Sequence, residues 1–170
     1  PRMQIEHDRA KILSGLMRGA TIGSPIAIII ENKDSGIDKL PSVKNPRPGH
    51  ADLAGILKYG FKDARCVLER ASARETAVRV GIGAMCKILL EEFDISIMSR
   101  VLMIGGAKTE RLMKAKIDEA RRSKNTLGGV FEVMVKGMPP GLGSCVHYDR
   151  RLDASIAEVI MSIPAIKAVE

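Results

Sequence analysis

The sequence predicts an α+β fold, on three observations. The first is a β-branched run, Ile26-Ala27-Ile28-Ile29-Ile30, bounded by Pro25 and Asn32, which reads as a strand. The second is residues 63–93, where Val67, Ala71, Arg74, Val78, Ile82, Met85 and Leu89 recur three or four apart, the spacing of one helix face. The third is that strand and helix patterns alternate from there to residue 169 with no heptad or internal repeat.

In chain order, residues 10–15 and 24–32 read as strands. Residues 32–48 carry Gly36, Pro41, Pro46 and Pro48 among charges, a surface loop able to deliver Arg47 and His50 to a site. The helix over 63–93 follows, and Gly81 and Gly83 inside it point to close helix packing. Residues 95–104 read as a strand stopped by Gly105-Gly106, and 110–124 as a charged amphipathic helix. A strand returns at 130–135, a helix at 149–161 sets Leu152, Ile156, Val159 and Ile160 on one side, and 165–169 opens another strand. With 170 residues and 45% hydrophobic content, one domain over 1–170 with a sizeable core is expected.

A net charge of +7, from 27 basic and 20 acidic residues, asks for an anionic partner: nucleic acid, an acidic membrane or a small polyanion. No Trp, two Tyr and three Phe leave little for base stacking, which argues against nucleic acid. The basic pair Arg121-Arg122 reads as a solvated helix end, favourable for the helix dipole. Cys66, Cys86 and Cys145 have neither disulfide nor zinc-ligand spacing, so no metal and a reducing cytoplasm are expected. No apolar run approaches the roughly 20 residues that span a bilayer, and Pro1-Arg2-Met3-Gln4 does not open a signal peptide, so no membrane association is expected.

Two strings carry chemistry. In Glu69-Arg70-Ala71-Ser72-Ala73-Arg74-Glu75-Thr76-Ala77, Arg74 occupies an apolar seam. A buried, unpaired guanidinium costs several kcal/mol, so Arg74 needs a carboxylate of its own protein or an anionic ligand. The first is the commoner arrangement. In Pro46-Arg47-Pro48-Gly49-His50-Ala51-Asp52, two prolines stiffen a loop that presents an arginine and a histidine. Asp52 reads as an orienting partner for Arg47, Glu75 as a partner for Arg79, and His7 and His147 as surface or structural. Gly141-Leu142-Gly143 lacks the third glycine of a dinucleotide fingerprint, since Val146 stands at its position.

Together the strings resemble the chorismate synthase family. Further matches are Arg2-Met3, Ile12-Leu13-Ser14-Gly15, Thr21-Ile22-Gly23-Ser24-Pro25-Ile26, Thr126-Leu127-Gly128-Gly129-Val130-Phe131-Glu132-Val133, Pro139-Pro140-Gly141-Leu142-Gly143, and Met161-Ser162-Ile163 leading to Ala165-Ile166-Lys167. The resemblance implies a β-α-β sandwich with helices packed between antiparallel sheets, assembled as a homotetramer. It implies a lyase that converts 5-enolpyruvylshikimate 3-phosphate to chorismate and phosphate with reduced FMN, and NADPH as a flavin reductant in some members. The substrate is a small polyanion, which suits arginine. By position, Arg2, Met3, Arg47 and Arg74 match substrate contacts, and Ser72, Ala73, Arg74, Pro164 and Ala165 match flavin contacts. Pro164 stands where many relatives carry Asn, which leaves a backbone contact there. His50 matches an active-site histidine that donates a proton, a task that histidine suits.

Two family segments do not occur here: an opening Gly-x-Ser-His-Gly with the other catalytic histidine, and a closing Arg-Ser/His-Asp. Relatives usually also carry a longer insertion between residues 104 and 126, and often one between residues 32 and 46. The chain therefore reads as an incomplete record of a longer one, inactive as 170 residues alone. A non-catalytic relic of the fold and a basic nucleic-acid-associated protein are the alternative readings.

Overall fold

A computed structural model describes residues 7–33 and 36–170. The chain divides into two compact units, one holding the chain up to Ala84 together with Asp153–Glu170, the other Met85–Leu152.

In the first unit, β1 (Ala10–Ile12) pairs antiparallel with β4 (Ile28–Ile30), Ala10 opposite Ile30 and Ile12 opposite Ile28. Each of the two expected strands thus forms over three residues only, and a hairpin of β2 (Leu16–Met17) and β3 (Ala20–Thr21) lies between them. Gly15 makes this reversal possible: at φ 88° a Cβ there would lie 2.6 Å from Ile26 Cγ1. The Ser14 hydroxyl donates to the Pro25 carbonyl at 3.0 Å and accepts from the Ala27 N–H at 3.2 Å, closing the same bend.

The helical region differs most from expectation. Residues 52–59 form α1 (Asp52–Tyr59), which the pattern did not signal. The helix expected over 63–93 is two, α2 (Arg65–Arg70) and α3 (Glu75–Glu91), broken at Ala71, Ser72, Ala73 and Arg74. At the break the Ser72 hydroxyl accepts the Arg74 N–H at 3.3 Å, a local bond that competes with the helical ladder. Arg74 therefore sits in a turn, off any helix seam.

α1 rests on α2 at Gly55, where any side chain would collide with Val67. Ala64 and Val67 are buried there, and so is Asp52. α3 crosses the β1–β4 pair at Gly81, whose Cβ would be 3.1 Å from Ile28 Cδ1, so close packing explains Gly81, whereas Gly83 meets nothing within 4 Å. A 3₁₀ turn (Tyr148–Arg150) precedes α5 (Leu152–Met161). The strand expected at 165–169 does not form: Ile166 N–H returns to Ile163 O at 3.2 Å and Ala165 takes φ 73°.

In the second unit, β5 (Ser96–Ile104) and β6 (Gly129–Lys136) form a long antiparallel pair with a register shift between Val101 and Met103. The helix α4 (Glu110–Ser123) starts with Glu110 and ends with Arg121 and Arg122, each charge placed to oppose the helix dipole.

The α+β class holds, and among the described residues every sheet pairing is antiparallel. The sizeable core does not appear among the described residues: Ala64, Val67 and Ile95 are the buried apolar side chains, while Val80 and Phe93 are 71% and 66% exposed. Two-stranded sheets and single helices present more apolar face than they cover.

Candidate active site

The Pro46–Asp52 region is built on the α1–α2 contact. Asp63 Oδ1 accepts the backbone N–H of Val43 and of Arg65, both at 2.8 Å, and these bonds lower its pKa. Ala64 N–H bonds Val43 O at 2.9 Å, and Arg65 Nη2 donates to Pro41 O at 3.0 Å. The proline loop is thereby stapled to α2.

At its far end Asp52, the first residue of α1, takes three donors from one residue. Its Oδ2 accepts the Arg47 backbone N–H and Nε–H, both at 2.9 Å, and its Oδ1 accepts Nη2–H at 3.1 Å. The Asp52 side chain is 1% exposed and that of Arg47 48%. The Arg47 side-chain bonds, then its backbone bond, hold the Asp52 carboxyl down at about 2 against the opposing effect of burial. The same pairing raises the Arg47 pKa.

Gly49 turns the chain at φ 73°, and His50 N–H reaches Arg47 O at 3.4 Å. His50 Nδ1 lies 2.9 Å from Pro48 O. A carbonyl only accepts, so Nδ1 carries the proton and Nε2 is left to exchange one. The ring is exposed. The hydrogen bonds expected between Asp52 and Arg47 are formed.

Arg74 has a carboxylate partner within its own unit. Nη1 and Nη2 donate to Asp8 Oδ2 and Oδ1 at 2.8 and 2.7 Å, and Nη2 also donates to Glu31 O at 2.8 Å. Both partners are largely covered, Arg74 17% and Asp8 27% exposed. Glu31 also lines a cleft of about 500 Å³ with His7, Arg9, Lys11 and Lys33, which gives that cleft a positive wall. Asp8 and the cleft were missed in the sequence; a partner 66 positions away leaves no local signal.

Ser72 and Ala73 form the turn before α3. Ala73 O accepts the Thr76 hydroxyl at 2.6 Å, while the Ala73 N–H has no hydrogen-bond partner among the described residues. Arg79 joins this end of α3 to the Pro164 and Ala165 turn: Nε donates to Glu75 Oε1 and Nη1 to Ser162 Oγ, both at 2.7 Å. The expected Glu75–Arg79 pair is thus formed. Ala165, non-glycine at φ 73°, holds a strained backbone of the kind that clusters at ligand sites. Arg2 and Met3 lie outside the described residues.

Gly143 packs against Leu152, 3.0 Å from a built Cβ to its backbone N, which gives that glycine a packing role. Among the described residues no group of three His, Cys, Asp or Glu side chains is placed to hold a metal ion, and no helix is long and apolar enough to cross a membrane.

A family model described as chorismate synthase matches residues 1–170. The chain belongs to the chorismate synthase family. Chorismate synthase of Thermoanaerobacter pseudethanolicus is 53% identical over 172 residues, covering 99% of this chain and 49% of that protein. Chorismate synthase of Solibacter usitatus is 46% identical over 210 residues, covering 99% and 54%. A solved structure titled "Crystal Structure of Chorismate Synthase" superposes with a TM-score of 0.82 at 42% identity, covering 96% of this chain and 55% of that one. The chain spans about half the length of the relatives it matches. Extra internal residues belong to some relatives only, since the Thermoanaerobacter alignment is barely longer than this chain.

Proposed function

We propose that the protein catalyses the 1,4-elimination that turns 5-enolpyruvylshikimate 3-phosphate into chorismate. The C–O bond to phosphate breaks, a ring proton leaves, and inorganic phosphate is released. The observation that carries this reading is a half-exposed arginine, Arg47, locked by a buried aspartate beside a histidine with an available Nε2, in a chain matched to the family along its whole length.

In this reading the Arg47 guanidinium binds an oxyanion of the substrate and His50 delivers or accepts a proton at Nε2; substrate contact by Arg2 and Met3 belongs to the same proposal. The Ser72, Ala73 and Arg74 turn and the Pro164–Ala165 turn would hold FMN. They fit it: the unpartnered Ala73 N–H lies at the entry to α3, where a helix N-terminus favours a phosphate, and Arg74 sits beside it. Reduced flavin supplies an electron-rich ring to the reaction. NADPH as reductant, a homotetramer and a cytoplasmic setting belong to the same proposal, as do a small polyanion as the only ligand class and the absence of nucleic-acid or membrane partners.

The test is FMN binding by the full-length protein with and without 5-enolpyruvylshikimate 3-phosphate, beside Arg74→Ala in identical salt. Substrate tightens FMN in the unsubstituted protein, and the variant loses that enhancement. No FMN binding in either condition overturns the reading in favour of a relic of the fold.

A further inference from the structure

We propose that Asp52 is a positioning residue for this reaction: it presets the guanidinium plane of Arg47 so that the Nη1 edge receives a substrate oxyanion, and it anchors the turn that carries His50. The inference deepens the elimination reading above and rests on it.

The geometry is side-on. Nε and Nη2 of Arg47 are spent on the two oxygens of Asp52, and Nη1 has no hydrogen-bond partner among the described residues. A guanidinium offers donors in a fixed fork, so fixing one edge fixes the direction of the other. Main chain and side chain of residue 47 grip the same carboxylate, which sets loop and rotamer with one anchor.

The two partners differ in exposure. Here the carboxylate is 1% exposed and the guanidinium 48%. Arg47 swinging out toward a ligand would strand a covered carboxylate, which is costly, so Arg47 meets the anion where it already stands. Preorganised donors of this kind need no rearrangement as charge develops. The hydrogen bonds of His50 to Arg47 O and Pro48 O place the imidazole on the same segment, so one buried aspartate sets both an anion-binding edge and a proton-exchanging ring.

The experiment is turnover of 5-enolpyruvylshikimate 3-phosphate with reduced FMN by the full-length protein, comparing Asp52→Asn in two backgrounds, unsubstituted and Arg47→Ala. Asn keeps the shape and loses the charge. In the unsubstituted background kcat/KM falls roughly 10- to 100-fold, the cost of misplacing a contact group; in the Arg47→Ala background the same change costs less than about 3-fold, because the residue it acts through is gone. Equal losses in both backgrounds, or none in the first, overturn the inference. Should Asp52→Asn fail to fold, Arg47→Lys decides: lysine keeps the charge without the side-on fork, so about a 10-fold loss supports the inference and unchanged turnover overturns it. Failure of the elimination reading shows differently, as no turnover by the unsubstituted protein.

Discussion

Arg47 and Arg74 are both held by aspartate through two side-chain bonds, yet they are held by opposite edges. Asp52 takes Arg47 from the side, through Nε and Nη2, and leaves it 48% exposed with a terminal nitrogen to spare. Asp8 takes Arg74 end-on, through both terminal nitrogens, and a backbone carbonyl takes Nη2 again, so that 17% stays exposed. The same residue pair leaves a terminal nitrogen open in one place, and in the other ties distant segments while fixing Arg74 beside the Ser72–Ala73 turn. Which nitrogens the partner occupies decides the outcome.

Substitution should separate the two. Arg47→Ala is expected to cost the most in function, roughly 100-fold in kcat/KM for loss of a charge-assisted contact; a loss below about 3-fold would erase the contrast. Arg74→Ala is expected to cost about 1–3 kcal/mol of stability, because it removes the two bonds to Asp8 and the one to the Glu31 carbonyl that tie these segments together. A urea midpoint shared with the unsubstituted protein would show that this pair ties nothing.

Gly55→Ala sharpens the comparison without touching either arginine. Its methyl group would strike Val67 in the α1–α2 contact, so the overpacked variant should lose about 1–3 kcal/mol and should loosen the Arg47 loop before the Arg74 node. Faster hydrogen exchange at Arg47 and Val43 than at Arg74 is the expected sign.

The pH dependence has a definite direction. Asp52 titrates at about 2 in the folded protein, below the ordinary aspartate value. A carboxyl lowered by folding stabilises fully above its unfolded pKa of about 4, and that contribution is lost as pH falls from there through about 2. Acid unfolding should therefore be less steep over that window in Asp52→Asn; parallel curves would remove the charge from the account. The smallest effect belongs to Glu110→Gln, which breaks an exposed pair with Lys114 and should change stability by less than about 0.5 kcal/mol.

Much of the fold was legible because periodicity is local. The β5 and β6 strands and α4 fall close to where alternation and helical spacing place them. The helix break at Ser72 was not legible: Val67, Ala71, Arg74 and Val78 keep helical spacing across it, and the deciding bond, Ser72 Oγ to Arg74 N–H, is made by a residue that ordinary helices also tolerate. The helix α1 was hidden behind a proline-rich loop whose composition reads as coil up to its last residue. Within the site, Asp52 as partner of Arg47 was readable from five positions away, and Glu75 as partner of Arg79 from four.

The sequence by itself determined the family, the α+β class and the residue types of a polyanion site, because those rest on strings, short-range spacing and charge. Tertiary structure decided which carboxylate answers Arg74, that Arg79 reaches Ser162 to bring the two candidate flavin turns to one end of α3, and how deeply Asp52 is covered. Contacts across 66 and 83 positions exist only once the chain has folded back on itself, and burial is a property of what packs around a residue, which no single residue encodes.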